Sequence, residues 1–151
     1  MLSNKSKYGL KALMQLVGVT RPMLADAIAA ENRIPRKFLD IILLELKRAG
    51  LVSGKKGRGG GYMLSRPAER ITVGQVIRIL DGSYAPIACT SRTAYKPCGD
   101  CPDEPLCRIR DLMIDVRDQM AMVLDNTSIA ALRARQTRGE LAGYIDLAGG
   151  P

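Results

Sequence analysis

The feature that most constrains this chain is a change of hydrophobic period at Gly50. Before this glycine, apolar residues recur every three or four positions, which is typical of amphipathic helices. After it, two short stretches, 51–53 and 61–65, flank the basic, glycine-rich segment GKKGRGG. Two short apolar runs around such a turn predict a β-hairpin with a cationic tip.

Three helices are predicted ahead of the hairpin. The first runs from about Lys5 to Gly18, the second has Pro22 in its first turn and ends near Asn32, and the third begins at Pro35 and stops before Gly50. Their predicted buried stripes are Tyr8, Leu10, Leu13, Met14, Leu16 and Val17, then Leu24, Ala27 and Ile28, then Phe38, Leu39, Ile42, Leu43 and Leu46.

Three helices followed by a hairpin is the element order of a winged helix-turn-helix, in which the third helix enters the major groove and the wing touches the backbone or minor groove. The sequence therefore predicts a mainly α protein with a small β-hairpin wing, and residues 1–66 form the winged helix-turn-helix. Residues 67–86 are predicted as a connector with a short helix, which Thr72 caps and which ends at Gly82.

The second half of the chain is organised around a cysteine-rich loop, 87–107, and a long helix. Pro105 is expected to begin this helix, and the segment 105–135 comprises it and a shorter helical stretch. Its apolar positions exceed what a small winged-helix domain covers, so it is interpreted as a dimerisation helix: Ile109, Leu112, Met113, Val116, Met120 and Val123. Residues 136–151 are expected to be a flexible tail.

The charge of the chain predicts a polyanionic partner. Lysine and arginine number 23 against 15 acidic residues, a net charge of +8 with no histidine. Aromatic residues are only 4% and tryptophan is absent, which disfavours a base-stacking platform for single strands and favours duplex DNA. The lack of histidine excludes Ser/His/Asp and Cys/His catalysis, and no other nucleophile and base pair stands out, so we expect no enzyme activity.

We expect no membrane association and a cytoplasmic location. Lys11 and Gln15 interrupt the apolar stretch near the N-terminus, which therefore resembles neither a signal peptide nor a membrane span. No run in the chain reaches the roughly 18 apolar residues that a transmembrane helix needs.

Candidate DNA contacts fall in three places, the start of the first helix, the start of the third helix and the wing: Lys5 and Lys7; Arg36, Lys37 and Asp40; Lys55, Lys56 and Arg58. Arg36 or Lys37 would favour guanine, and Asp40 would accept from a cytosine amino group. Alternatively, Asp40 forms an i,i+4 ion pair with Arg36, and both interpretations stay open.

All four cysteines of the chain lie between Cys89 and Cys107, in the order Cys89-x8-Cys98-x2-Cys101-x5-Cys107. Such clustering indicates a site, and without a secretory signal a thiol cluster more often binds metal or performs redox chemistry than forms structural disulfides. An iron–sulfur cluster, a tetrahedral zinc and a thiol/disulfide switch all remain compatible with this spacing.

The combination KYGLKAL, FLDIILLELKRAGLV, KKGRGGGYML and ITVGQVIRILDG, followed by the cysteine loop, resembles the Rrf-type winged-helix transcriptional regulators over about residues 3–135. The resemblance implies a homodimer whose long helices pair, double-stranded DNA with a pseudo-palindromic operator as partner, and a [2Fe-2S] or [4Fe-4S] cluster. The three family cysteines correspond to Cys89, Cys101 and Cys107. Arg110 occupies the position where some members have a histidine ligand, so Cys98, a partner residue or an exogenous group would complete the set.

The leading hypothesis is a homodimeric transcriptional regulator that senses iron–sulfur, redox or nitric oxide status through a cluster in the cysteine loop. One alternative keeps DNA binding and assigns the cysteines to a structural zinc or a dithiol switch. An alternative of another class is a small metal or iron–sulfur carrier whose basic face binds an acidic protein.

Overall fold

The computed structural model describes residues 2–135. Six helices and one two-stranded antiparallel sheet follow one another along this part of the chain. In chain order they are α1 (Asn4–Leu16), α2 (Ala25–Asn32), α3 (Arg36–Arg48), β1 (Val52–Lys55), β2 (Gly61–Leu64), α4 (Val73–Asp81), α5 (Arg108–Asp125) and α6 (Ile129–Ala134), with short 3₁₀ turns at Ala68–Arg70 and Ala88–Thr90. The predicted fold class, mainly helical with a small hairpin, is confirmed.

The core lies where α1, α2, α3 and α4 meet, and it is aliphatic. Its fully buried members include Leu13, Leu16, Ile28, Leu39, Ile42, Leu43, Leu46, Leu51, Ile71, Val76 and Ile129. Gly9 of α1 allows close approach to α4, because a Cβ there would lie 2.4 Å from the Leu80 side chain. Burial of these side chains is the main stabilising contribution to the fold.

The predicted stripes of the second and third helices were partly wrong. Leu24, at the N-cap of α2, and Ala27 are exposed, so Ile28 alone of the predicted trio is buried. Phe38 is 43% exposed and packs edge-on against Tyr8, with ring centroids 6.1 Å apart. The segment FLDIILL has large apolar side chains on more than one side of α3, so spacing alone could not decide which of them the core would cover.

The wing is held by a third extended segment that the sequence did not indicate. In the hairpin, Val52 pairs with Leu64 and Lys55 with Gly61. Met23 forms an antiparallel bridge with Tyr62, in which the Met23 N–H donates across 3.0 Å and the Tyr62 N–H across 2.8 Å. The prediction of Pro22 in the first turn of a helix was therefore wrong, because this segment satisfies the open edge of β2 before α2 begins at Ala25.

The connection to the long helix also differs from the expectation. Thr72 caps α4 as predicted, its hydroxyl accepting from the Gln75 N–H at 3.1 Å. The long helix begins at Arg108 rather than at Pro105, because Cys107 is its N-cap and residues 105–106 form a turn. α5 packs against α4 and the turn Ala88–Thr90, yet none of its residues is fully buried. The predicted flexible tail, 136–151, lies outside the described residues.

Within residues 2–135, no helix combines the length and the apolar character that crossing a membrane requires.

Candidate functional site

The first candidate surface is the exposed side of α3 together with the wing. At the start of α3, Arg36 forms an ion pair with Asp26 at 2.8 Å and a second one with Asp40. The i,i+4 pair proposed as the alternative role of Asp40 is thus present in the free protein. Lys37, one residue further on, is exposed and makes no ion pair with any described residue.

The lysines at the start of α1 are in different situations. The Lys5 ammonium contacts the Glu45 carboxylate at 2.8 Å and donates to the Leu80 carbonyl at 3.0 Å, so it connects α1 to α3 and α4. Lys7 is exposed, with its ammonium 5.7 Å from the centre of the Tyr8 ring. Of these two lysines, Lys7 is therefore the one whose ammonium group remains free to contact DNA.

The wing tip presents exposed cations. Lys55, Lys56 and Arg58 form no ion pair or hydrogen bond with side chains among residues 2–135. Gly57 and Gly59 between and beside them have φ values of 85° and 71°, which a glycine adopts without strain. The structure thus keeps three positive charges uncompensated at the end of a tight, two-stranded hairpin.

The second candidate site is a group of thiols at the N-terminus of α5. The Cys101 thiol donates to the Cys107 sulfur across 3.7 Å, and the Cys107 sulfur also accepts from the Arg110 backbone N–H at 3.4 Å. This backbone donor lowers the pKa of Cys107. The neighbouring thiols of Cys107 and then Cys98 raise the pKa of Cys101 to about 12. The pair therefore favours a thiolate on Cys107 and a thiol on Cys101.

Glu104 organises the loop around this thiol group. Its carboxylate accepts from the Cys98 backbone N–H and from the Tyr95 hydroxyl, both at 2.8 Å, and it lies 3.7 Å from the Arg110 guanidinium. The bond from the Cys98 N–H, followed by that from Tyr95, lowers the pKa of Glu104. An ionised Glu104 thus holds Cys98 close to Cys101 and Cys107.

Cys89 stands in a different environment, buried in the turn Ala88–Thr90 with 6% of its surface exposed. Arg117 of α5 donates to the Thr90 carbonyl at 2.7 Å and so fastens this turn to the long helix. Among residues 2–135, no three His, Cys, Asp or Glu side chains are arranged to hold one metal ion. The four predicted cysteine ligands are accordingly brought to the same region, but not into one coordination shell.

One pair of these thiols, Cys101 and Cys107, has the separation of two ligands in a tetrahedral metal–sulfur centre. Two thiolates bound at the usual metal–sulfur distance of a tetrahedral site are about 3.8 Å apart. Cys101 and Cys107 already have this separation, at 3.7 Å. The position of Cys107 at a helix N-terminus also favours a thiolate on that residue, because the helix dipole and free N–H groups stabilise negative charge there.

The long helix carries an uncovered apolar stripe beside the thiols. Ile109, Leu112, Val116 and Val123 lie on one side of α5 and are all exposed. Nothing among the described residues covers this side chain row. These residues are separated by three, four and seven positions, which is the spacing of a helix seam.

A polar network that the sequence did not indicate joins α4 to the end of α5. The Tyr84 hydroxyl donates to Asp125 at 3.0 Å and accepts from Arg78 at 2.8 Å, while Arg78 and Asp125 are themselves 2.8 Å apart. These residues border a cavity of about 230 Å³ between the two helices. No local pattern could predict the network, because Tyr84 and Asp125 are far apart in the chain.

Three helices, a hairpin with a basic tip and an exposed third helix define the class of winged helix-turn-helix DNA-binding proteins. Residues 2–135 match the Rrf2 family, described as iron-dependent transcriptional regulators. The chain belongs to this family, and it is a transcriptional regulator rather than an enzyme.

Relatives of the chain cover nearly its whole length. It is 37% identical over 139 residues to an rrf2-like HTH-type transcriptional regulator of Rhodobacter capsulatus, covering 89% of this chain and 93% of the relative. The solved structure of CymR, the global cysteine regulator of Bacillus subtilis, superimposes with a TM-score of 0.73 at 31% identity, covering 91% of this chain and 98% of CymR. The oxidised form of CymR from Staphylococcus aureus superimposes with a TM-score of 0.70 at 29% identity, covering 91% of this chain and 98% of that CymR.

Proposed function

We propose that this protein is a homodimeric DNA-binding regulator that couples the state of its cysteine loop to the arrangement of its two winged helices. One observation carries the proposal: Cys107, a member of the thiol group, is also the N-cap of the helix whose apolar stripe is uncovered. A change at the sulfur therefore acts directly on the first turn of α5. In a dimer, that helix sets the distance between the two DNA-binding units.

The DNA contacts are proposed at α3 and the wing. Lys37 and the wing cations Lys55, Lys56 and Arg58 are free of internal ion pairs and contribute most of the charge that meets the phosphates. Lys7 adds a phosphate contact at the start of α1. Lys5 and the Arg36–Asp40 pair are neutralised within the protein, so their contribution depends on rearrangement in the complex. Two such surfaces related by a twofold axis match a pseudo-palindromic operator.

The cysteine loop is proposed to hold an iron–sulfur cluster of the [2Fe-2S] or [4Fe-4S] type, in agreement with the iron dependence in the description of the family. Cys101 and Cys107 would be the first two ligands, and Cys98 would be a third. Cys89 would complete the set after movement of its turn. When bound, such a cluster supplies iron that reacts with oxidants and with nitric oxide.

Metal analysis tests this assignment. The protein is purified without oxygen, its absorption spectrum is recorded, and iron, acid-labile sulfide and zinc are quantified per chain. We expect a brown protein that contains iron and sulfide. Removal of the cluster is expected to change the free energy of operator binding by about 1–3 kcal/mol. A colourless protein with one zinc per chain would identify a structural zinc site instead.

Single cysteine replacements refine the ligand set. Cys101→Ser and Cys107→Ser are expected to abolish the cluster, and Cys89→Ser to destabilise it. Cys98→Ser is expected to shift the spectrum if Cys98 is a ligand. Lys96→Ala is the matched control, because Lys96 lies exposed in the same loop and its side chain bonds to no described residue, and this variant is expected to retain the metal. Retention of a normal cluster in all four cysteine variants would refute the site.

The homodimer is tested by reversing the polarity of the α5 stripe. Val116→Glu places a charge in the proposed seam, and sedimentation is expected to show a monomer with weak operator binding. Met122→Glu is the matched control, because Met122 is also exposed on α5 but lies well away from the stripe. A monomeric wild-type protein, or equal behaviour of the two variants, would contradict the assignment.

A dithiol switch is the second candidate, favoured by the Cys101–Cys107 pair. A thiolate on Cys107 and a thiol on Cys101, 3.7 Å apart, can form a disulfide after a small approach of the two sulfurs. With hydrogen peroxide as oxidant, the two thiols lose two electrons and two protons, and the peroxide is reduced to two waters. Mass spectrometry of the metal-free protein after peroxide treatment is expected to show this disulfide, and its absence in Cys101→Ser is the control.

A further inference from the structure

The outward face of α3 has an unusual composition. Four residues lie opposite the side of α3 that packs into the core, and they are Lys37, Ile41, Leu44 and Arg48. Ile41 is 54% exposed and Leu44 is 47% exposed. A helix that buries one side normally presents polar residues on the other. Here two large aliphatic side chains occupy the middle of the exposed side, and a cation stands at each end.

The surroundings of this face indicate the charge of its partner. The Lys47 ammonium lies 3.6 Å from the position that a Cβ on Gly54 would occupy, so the C-terminal part of α3 adjoins β1 of the wing. Lys55, the first of the uncompensated wing cations, follows Gly54 directly in β1. Asp40, the acidic residue nearest to Ile41 in the chain, is already held by Arg36. The complementary surface must carry negative charge at its margins and apolar groups at its centre.

The major groove of duplex DNA has this arrangement. Phosphates line its two edges, and the C5-methyl group of each thymine projects from its floor. Aliphatic side chains at the middle of a helix that lies in the groove contact such methyl groups, whereas cations at the helix ends meet the phosphates.

We propose that Ile41 and Leu44 determine sequence specificity by contacting thymine C5-methyl groups in the operator. This inference depends on the proposed entry of α3 into the major groove. Bases at the centre of each half-site would then be recognised mainly through apolar contacts. This contrasts with the recognition by hydrogen bonds that was expected from Arg36, Lys37 and Asp40.

The test begins with selection of bound duplexes from a random pool by the anaerobically purified wild-type protein. Each thymine of the selected half-site is then replaced in turn by deoxyuridine, which lacks only the C5-methyl group and keeps every hydrogen-bonding atom. We expect the affinity to fall about fourfold for each contacted methyl, at one or two thymines per half-site.

The variants Ile41→Ala and Leu44→Ala connect this loss to the two side chains. Each is expected to bind the thymine operator more weakly than wild type and to lose its preference for thymine over deoxyuridine at one position. Both side chains are exposed, so the melting temperatures are expected to remain close to that of wild type. Met122→Ala, which removes an exposed apolar side chain from α5, is the matched control and is expected to keep the full preference.

Three results would overturn the inference. If wild type binds its selected duplex but deoxyuridine has no effect at any thymine, DNA binding stands and the methyl contact is wrong. If the variants keep the wild-type preference, other residues read the methyl groups. If wild type selects no duplex at all, the proposed DNA-binding surface fails together with this inference, and an acidic protein partner would fit the face instead.

Discussion

Gly61 is the residue at which the wing is fixed to the rest of the DNA-binding unit, and Gly61→Ala tests that attachment. Its φ is 143°, a conformation that residues with a side chain rarely adopt. A Cβ on Gly61 would also lie 2.5 Å from the Met23 carbonyl oxygen and 2.6 Å from its carbon. These are backbone atoms, so they cannot turn aside as a flexible side chain would.

The cost of the substitution has two parts. Forcing an L-residue into this conformation costs about 1–3 kcal/mol. Displacing Met23 breaks the two backbone hydrogen bonds that it shares with Tyr62, at 3.0 and 2.8 Å, each contributing about 0.5–1.5 kcal/mol. The expected loss of unfolding free energy is therefore about 2–6 kcal/mol. A loss near 4 kcal/mol lowers the melting temperature of a chain this size by about 8–16 °C.

Two other glycines provide graded controls. Gly59 also has a positive φ, 71°, but nothing lies within 4 Å of its would-be Cβ, so Gly59→Ala is expected to cost only about 1–2 kcal/mol. Gly99 has open space and no positive φ, and Gly99→Ala is expected to change stability by less than about 0.5 kcal/mol. Thermal or urea unfolding measures the series.

DNA binding gives an independent readout of the same attachment. A displaced wing removes its cations from the phosphates, so the log–log salt dependence of Gly61→Ala is expected to decrease by about 0.9 for each lost contact. Gly59→Ala leaves Met23 and Tyr62 paired, so its salt dependence of DNA binding is expected to stay closer to that of wild type than the salt dependence of Gly61→Ala. Equal unfolding free energies for Gly61→Ala and Gly59→Ala would refute the reasoning, because the clash with Met23 would then have no effect.

Three further predictions concern the helix junction, acid stability and thiol reactivity. A Cβ on Gly74 would overlap the Asp125 carboxylate. Gly74→Ala is therefore expected to stabilise the Asp125→Ala variant but not wild type. A double-mutant cycle of urea unfolding is expected to give a coupling energy of about 1–2 kcal/mol. Burial alone would raise the pKa of Asp81, but its hydrogen bonds to Ser3 outweigh burial and lower the pKa. The stability that the ionised Asp81 contributes is therefore present above the unfolded-state pKa near 4 and is lost as the pH falls below it. Asp81→Asn is expected to flatten this part of the curve of unfolding free energy against pH. In metal-free, reduced protein at neutral pH, iodoacetamide is expected to modify Cys107 before Cys101, because the pKa of Cys107 is lowered and that of Cys101 is raised to about 12. Peptide mass spectrometry measures the labelling rate of each cysteine. Faster labelling of Cys101 would contradict the thiolate assigned to Cys107.

The sequence by itself determined the elements and their order. Helices and hairpin follow from hydrophobic period, from capping residues such as Thr72 and from the glycine-rich turn, all of which act over a few neighbouring positions. The excess of positive charge and the clustering of cysteines between Cys89 and Cys107 likewise needed no knowledge of the fold. The uncovered stripe of α5 was expected for the same reason, since its spacing is local.

Tertiary structure decided which of these residues remain free to act. Lys5 and Arg36 carry the charge expected at a DNA surface, yet Glu45 and Asp26 from other helices neutralise them. Large apolar residues lie on the exposed as well as the buried side of α3, so only packing against α1, α2 and α4 could leave Ile41 facing outward. These outcomes depend on contacts between residues distant in the chain, for which no local period or spacing exists.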